Sequence, residues 1–202
     1  MGGRCVGIMG GTFDPIHLGH LVTAEQARAD LDLDEVVFTP AGRPYQKDGP
    51  TSGEHRYLMT VLATAANPAF SVSRAEVDRD GPTYTVDTLR RMKSRLPEDR
   101  LFFITGADAI LNILTWKDAD ECLRLADFVA ATRPGHDLSV LEAEGLMSRV
   151  RVLDVPALAI SSTDIRERFE KGRSVSYLIP LAVEQYARKH GLYSTAGTAL
   201  SG

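Results

Sequence analysis

The chain has little of what export, membrane insertion or structural metal binding would require. Its 202 residues include two cysteines, Cys5 and Cys122, too few and too far apart for a zinc spacing. Reduced thiols in a cytoplasm are the default expectation for such usage. There is no continuous apolar run of about 18 residues and no leader pattern at the start, so export and membrane spanning are not expected. H-E-x-x-H is absent, as is the P-loop pattern G-x-x-x-x-G-K-[ST], and the glycines do not fall as G-x-G-x-x-G. Nor is one sign of charge in large excess. With 23 basic and 27 acidic residues the net charge is −4. That balance gives no electrostatic reason to expect nucleic-acid or membrane binding, so basic residues must be gathered locally to hold an anionic substrate. Internal repeats, linkers and low-complexity stretches are also missing.

What is present is an ordinary globular composition, 44% hydrophobic and 25% charged. The length predicts one domain over residues 1–193, with a small polar tail over 194–202 that frays. Apolar runs over Arg4–Met9, Val36–Thr39, Phe70–Val77, Leu101–Thr105, Phe128–Thr132 and Val150–Val155 read as strands. Between them lie helical stretches. Leu18–Leu31 follows the first strand, and a helix capped by Thr51 with Glu54 runs to Asn67. Another is capped by Thr85 and runs to Leu96, with Val86, Leu89 and Met92 inward. After the last strand come helices Ser162–Lys171 and Pro180–His190, closed by Gly172 and Gly191. The alternation predicts an α/β, Rossmann-like, doubly wound and mainly parallel sheet, with helices on both faces and a helical C-terminal segment. Sites in such folds lie at the C-terminal ends of the strands.

The chemistry-bearing residues fall at those ends. Gly10-Gly11-Thr12-Phe13-Asp14-Pro15-Ile16-His17-Leu18-Gly19-His20 leaves the first strand through a glycine turn and enters a helix. Backbone amides, a helix N-terminus and two imidazoles there suit a phosphate chain. The polar loop over 41–52 follows the second strand and carries Arg43 and Lys47. Asp108 follows the Leu101 strand and Arg133 the next, and Ser161-Ser162-Thr163-Asp164-Ile165-Arg166 follows the last.

The pattern G-x-F-D-P-x-H-x-G-H over Gly11–His20, with Ile160–Arg166 about 140 residues further on, resembles the two signatures of the nucleotidyltransferase superfamily. The bacterial nicotinate-nucleotide adenylyltransferases are the nearest match, from residue 4 to about 193. The resemblance implies transfer of the adenylyl group of ATP to nicotinate mononucleotide, giving deamido-NAD and pyrophosphate in NAD biosynthesis. Mg²⁺ would be carried on the ATP phosphates rather than by dedicated protein ligands.

Roles follow residue by residue. His17, His20 and Arg166 are the expected catalytic groups, as phosphate donors. Gly10, Gly11, Thr12, Phe13, Gly19, Asp108, Arg133, Ser161, Ser162 and Thr163 are expected around ATP. Asp108, in Gly106-Ala107-Asp108, resembles the family's ribose contact, and Arg133 its adenine loop. The hydroxyls and amides of Ser161–Thr163 are read as free for the β- and γ-phosphates. For nicotinate mononucleotide the candidates are Arg43, Lys47, Tyr84, Thr85 and Trp116. Thr83-Tyr84-Thr85 and the lone tryptophan resemble the pair that flanks the pyridine ring in the family. The loop departs from the family at Pro44-Tyr45-Gln46-Lys47, where Pro-Pro-His-Lys is frequent. Gln46 cannot act as a proton-dependent donor. Two other readings are carried: pantetheine-phosphate adenylyltransferase, and a dinucleotide-binding sensor without turnover. Homo-oligomerisation is left open.

Overall fold

A computed structural model describes residues 3–43, 51–132, 145–146, 148–156 and 158–194. Six strands make one sheet: β1 (Cys5–Gly11), β2 (Glu35–Pro40), β3 (Phe70–Val72), β4 (Arg100–Gly106), β5 (Asp127–Thr132) and β6 (Val150–Asp154). Their order is β3-β2-β1-β4-β5-β6 and every pairing is parallel. This is the doubly wound arrangement anticipated from the alternation. The chain reverses winding direction between β1 and β4, where ligand crevices open in such sheets.

Strand alternation divides the buried side chains between two cores. Met9, Phe38, Phe102, Ile104 and Val129 face one side. Against them pack α1 (Leu18–Asp30) through Ala24 and Ala27, and α2 (Gly53–Thr64) through Met59. The same core takes in Ile165 and Phe169, from the helix Ser162–Glu170, and Val183 and Ala187, from the helix Leu181–Lys189. Ile8, Leu101, Phe103, Phe128 and Ala130 face the other side, against α3 (Thr85–Arg95) through Val86, Leu89 and Met92. The short α4 (Ala107–Ile110) and α5 (Ala119–Leu125) complete that layer through Ile110 and Cys122. The two C-terminal helices are α6 (Ser162–Glu170) and α7 (Leu181–Lys189). Gly172 and Gly191, at φ +62° and +61°, end them in the left-handed conformation that glycine adopts most readily.

Three expectations are corrected. α2 is capped by Ser52, whose hydroxyl accepts from the His55 N–H, and it ends at Thr64. Thr51 instead donates its N–H to the Asp14 carboxylate of the first motif at 3.2 Å. Thr85 is the first residue of α3 and Tyr84 its N-cap. β3 stops at Val72, because Ser73 accepts the Ala75 N–H and a turn follows through Arg79. Among the described residues no helix is long and apolar enough to cross a membrane. Lys47, Gln46, Arg133 and the tail from 195 lie outside the described residues.

Candidate active site

The glycine turn leaves β1 between two neighbours that restrict its side chains. A Cβ on Gly11 would sit 2.8 Å from the Phe13 ring, and one on Gly10 would sit 3.1 Å from Phe103. Phe13 is 2% exposed and packs edge-on against His20 at 5.1 Å and tilted against Phe38 at 5.8 Å. Its ring therefore packs behind the turn.

His17 caps α1 in extended conformation, and the His17 and His20 rings stack with centroids 3.6 Å apart. Gly19 is small for a local reason: its Cβ would meet His17 Nδ1 at 3.0 Å. The His17 N–H donates to His20 Nδ1 at 3.2 Å. A ring nitrogen that accepts is unprotonated, so this bond directs the His20 proton to Nε2. His17 is buried, its Nδ1 has no hydrogen-bond partner among the described residues, and burial lowers its pKa from 6.5 to about 4. Near neutral pH the pair therefore includes a neutral His17 rather than two cations.

The second motif folds directly onto the first. The Ser162 hydroxyl donates to the Pro15 carbonyl at 3.0 Å, and Arg166 Nη1 donates to the Asp14 carbonyl at 2.8 Å. Arg166 Nη2 also reaches the Thr163 hydroxyl at 3.3 Å. Ser161 is the N-cap of α6, its hydroxyl accepting the Asp164 N–H. The expectation that these hydroxyls are all free for phosphate is thus corrected. Those of Ser161 and Ser162 build the helix entrance, whereas the amides of Ser162 and Thr163 lie ahead of the intrahelical ladder and suit an anion.

Behind the motif, sequence reasoning missed a buried network. Asp14 accepts the Tyr193 hydroxyl at 2.6 Å and the Thr51 N–H at 3.2 Å. Burial and the Asp14 carboxylate both push the Tyr193 pKa up, so the phenol stays protonated and donating. Arg56, 0% exposed, sits beside them. No local pattern announces such a network, since its members are separated by up to 179 residues.

A cleft of about 550 Å³ opens at the winding reversal. The end of β1 with the residue after it (Gly10, Gly11 and Thr12) lines it together with Thr83, Tyr84, Thr85, Thr88, Trp116 and Lys117, and the exposed Asp108 is also on its lining. Trp116 is half-buried, edge-on to Phe103 at 6.1 Å and to Phe128 at 6.2 Å. Lys117 Nζ lies 4.7 Å over the Tyr84 ring. The structure thus brings together the phosphate turn, Asp108, Thr85 and Trp116. It joins the histidines, Ser162 and Arg166 to the same turn through residues 14–19. Arg43 is not on this cleft: it is exposed, lines an adjoining depression with Arg74 and Arg79, and bridges Pro82. No group of three or more His, Cys, Asp or Glu side chains able to hold a metal ion is gathered among the described residues.

Residues 8–168 match the cytidylyltransferase-like family. The chain is 61% identical over 189 residues to a nicotinate-nucleotide adenylyltransferase of Leifsonia xyli, covering 93% of each chain. It is 58% identical over 198 residues to that of Moorella thermoacetica, covering 93% of this chain and 91% of the other. The chain belongs to the nicotinate-nucleotide adenylyltransferases. Its fold is that of a solved nicotinic acid mononucleotide adenylyltransferase from Plasmodium falciparum in complex with NaAD, with a TM-score of 0.80. That match covers 94% of this chain and 97% of the other at 21% identity. A nucleotidyltransferase of NAD biosynthesis needs a donor site and an acceptor site in one crevice.

Proposed function

We propose that this adenylyltransferase joins ATP to nicotinate mononucleotide in one in-line displacement, without a covalent intermediate. The observation that carries the reading is one cleft lined both by the glycine turn Gly10–Thr12, read here as the donor wall, and by Thr83, Tyr84, Thr85 and Trp116, read as the acceptor wall. A phosphate oxygen of the mononucleotide attacks the α-phosphorus of ATP. The bond from that phosphorus to the bridging oxygen breaks, and pyrophosphate leaves with the electron pair. The attacking phosphate is already ionised near pH 7, so no general base is needed. The enzyme must instead hold two anions that repel and stabilise charge on the α-phosphate and the leaving group.

His20 Nε2–H is the donor assigned to the α-phosphate, with neutral His17 stacked beside it. Gly10–Thr12 supply main-chain amides. The amides of Ser162 and Thr163 at the start of α6 receive the β- and γ-phosphates, and Arg166 supplies positive charge there. ATP arrives as its Mg²⁺ complex, the ion riding on the phosphates as part of the substrate. Asp108 takes the ribose. On the acceptor side, Trp116 stacks on the pyridinium ring. The N-terminus of α3 at Thr85, with the Lys117 ammonium close by, receives the nicotinate carboxylate. A neutral carboxamide gains less from those donors, so the acid is the preferred substrate.

Pyrophosphate release from Mg·ATP tests the reading, with nicotinate mononucleotide, nicotinamide mononucleotide and phosphopantetheine offered separately. Strong turnover with the first and weak turnover with the others is expected. Turnover with phosphopantetheine alone would move the chain to the sister reaction, and silence with all three despite tight ATP binding would make it a sensor.

A further inference from the structure

Arg56 is the largest of the fully buried side chains, and its donors go to the main chain. Nε donates to the Thr51 carbonyl at 2.7 Å, Nη1 to the Thr12 carbonyl at 2.8 Å and Nη2 to the Gly42 carbonyl at 2.8 Å. Burying a guanidinium is costly, and core packing alone would be met more cheaply by leucine or methionine. What arginine offers here is a rigid planar fork aimed in three directions at once, which a lysine ammonium on a flexible stem does not reproduce.

The three carbonyls belong to segments that matter for the reaction. Thr12 is part of the phosphate turn on the donor wall. The Gly42 N–H donates to the Thr83 hydroxyl at 3.1 Å, and the Thr83 N–H donates to the Arg43 carbonyl at 3.1 Å. Gly42 has no slack, because a Cβ there would lie 2.0 Å from the Glu76 carbonyl oxygen. Thr83 itself lines the cleft and directly precedes Tyr84 and Thr85, with which it makes the acceptor wall. A continuous line of bonds therefore runs from Thr12 through Arg56 and Gly42 to Thr83, from one wall of the cleft to the other.

We infer that Arg56 is a positioning residue whose fork sets the separation of the donor turn and the acceptor wall. The inference rests on the adenylyl-transfer reading, in which both substrates must be held at near-attack distance. Misplacement by about 1 Å costs on the order of 10²-fold in rate. Both substrates are gripped by other groups, so the loss belongs in kcat rather than in either KM.

The test compares Arg56→Lys, Thr83→Val and the double variant with the unaltered chain. Circular dichroism and thermal unfolding give the folded fraction. Steady-state pyrophosphate release gives kcat and both KM values, and amide hydrogen exchange is followed over residues 10–14 and 41–43. Arg56→Lys is expected to lower kcat per folded molecule about 10²-fold, with each KM within about threefold. Thr83→Val should lower kcat about tenfold. The double variant should lose less than the product of the two, because both changes break one line of bonds. Exchange in the two segments should rise together in Arg56→Lys. Unchanged kcat per folded molecule, a rise in one KM alone, multiplicative losses, or unchanged exchange would each overturn the inference. If Arg56→Lys does not fold, full kcat and unaltered exchange at residues 41–43 in Thr83→Val would overturn it. Hydrogen exchange does not depend on turnover, so an unaltered chain that failed to release pyrophosphate would count against the reaction and leave the strut to be judged on exchange.

Discussion

Acidification should weaken this protein through His17 in a way that one substitution isolates. His17 is 7% exposed, its Nδ1 has no hydrogen-bond partner among the described residues, and burial lowers the pKa from 6.5 to about 4. Between those values the unfolded chain binds a proton that the folded chain refuses. Stability therefore rises with pH across that window and is lost as pH falls through it. Going from pH 7 to pH 4.5, this one group should remove about 2 kcal/mol of folding free energy. Carboxylates titrate over part of the same range, so the comparison must be differential. His17→Asn keeps a polar side chain of similar reach and removes the titration. Urea unfolding of both proteins at pH 7, 6, 5 and 4.5 should show the unaltered chain losing about 2 kcal/mol more than the variant. Parallel stability curves would refute the reasoning, since His17 would then charge as freely in the fold as outside it. In the ligand-free protein near pH 7 the same argument leaves His17 a neutral donor or acceptor, not a cation.

Other outcomes follow from the same geometry. His20→Ala should cost about 10² to 10³ in kcat with fold and ATP affinity retained, and a variant keeping most of its turnover would remove His20 from the transfer step. Tyr193→Phe should destabilise by about 1–3 kcal/mol, because Asp14 stays buried and loses its 2.6 Å donor; urea titration at pH 7 measures it. Trp116→Ala should raise the KM for nicotinate mononucleotide at least tenfold while leaving that for ATP within about twofold, as steady-state kinetics with each substrate varied would show. Equal effects on both would place the tryptophan in the core instead of against the pyridine ring.

Much of the site was legible because its two motifs are local. Gly10–His20 makes a strand end, a turn and a helix entrance within a dozen residues, Ser161–Arg166 makes a helix entrance after the last strand, and hydrogen bonds from Ser162 and Arg166 bring the second to the first. The hydroxyl assignments at Ser161 and Ser162 were less legible. A serine at a helix start looks the same in sequence whether it serves a ligand, its own helix or a neighbouring carbonyl. Here Ser161 caps α6 and Ser162 reaches Pro15, 147 residues away. Capping had the same weakness: the pattern pointed to Thr51, whose N–H Asp14 takes from across the fold, and Ser52 caps the helix instead. Arg56 and Tyr193 gave no signal at all. An arginine on a helix and a tyrosine after one are usually solvated, and nothing in their neighbours says otherwise.

Strand and helix alternation, the glycine turn, the paired histidines and the Ser-Ser-Thr entrance are set by propensity, periodicity and short-range sterics. A sequence carries these directly. It thereby determined the doubly wound parallel sheet and carried the two motifs by which the adenylyltransferase family is recognised. The tertiary structure alone decided which polar groups remain available there. It turned His17 into a neutral ring by burial, set the proton of His20 on Nε2, and used the hydroxyls of Ser161 and Ser162 for support. It also seated Arg56 between the two walls of the cleft. These are many-body outcomes of packing, in which desolvation and competition for hydrogen bonds depend on residues far apart along the chain.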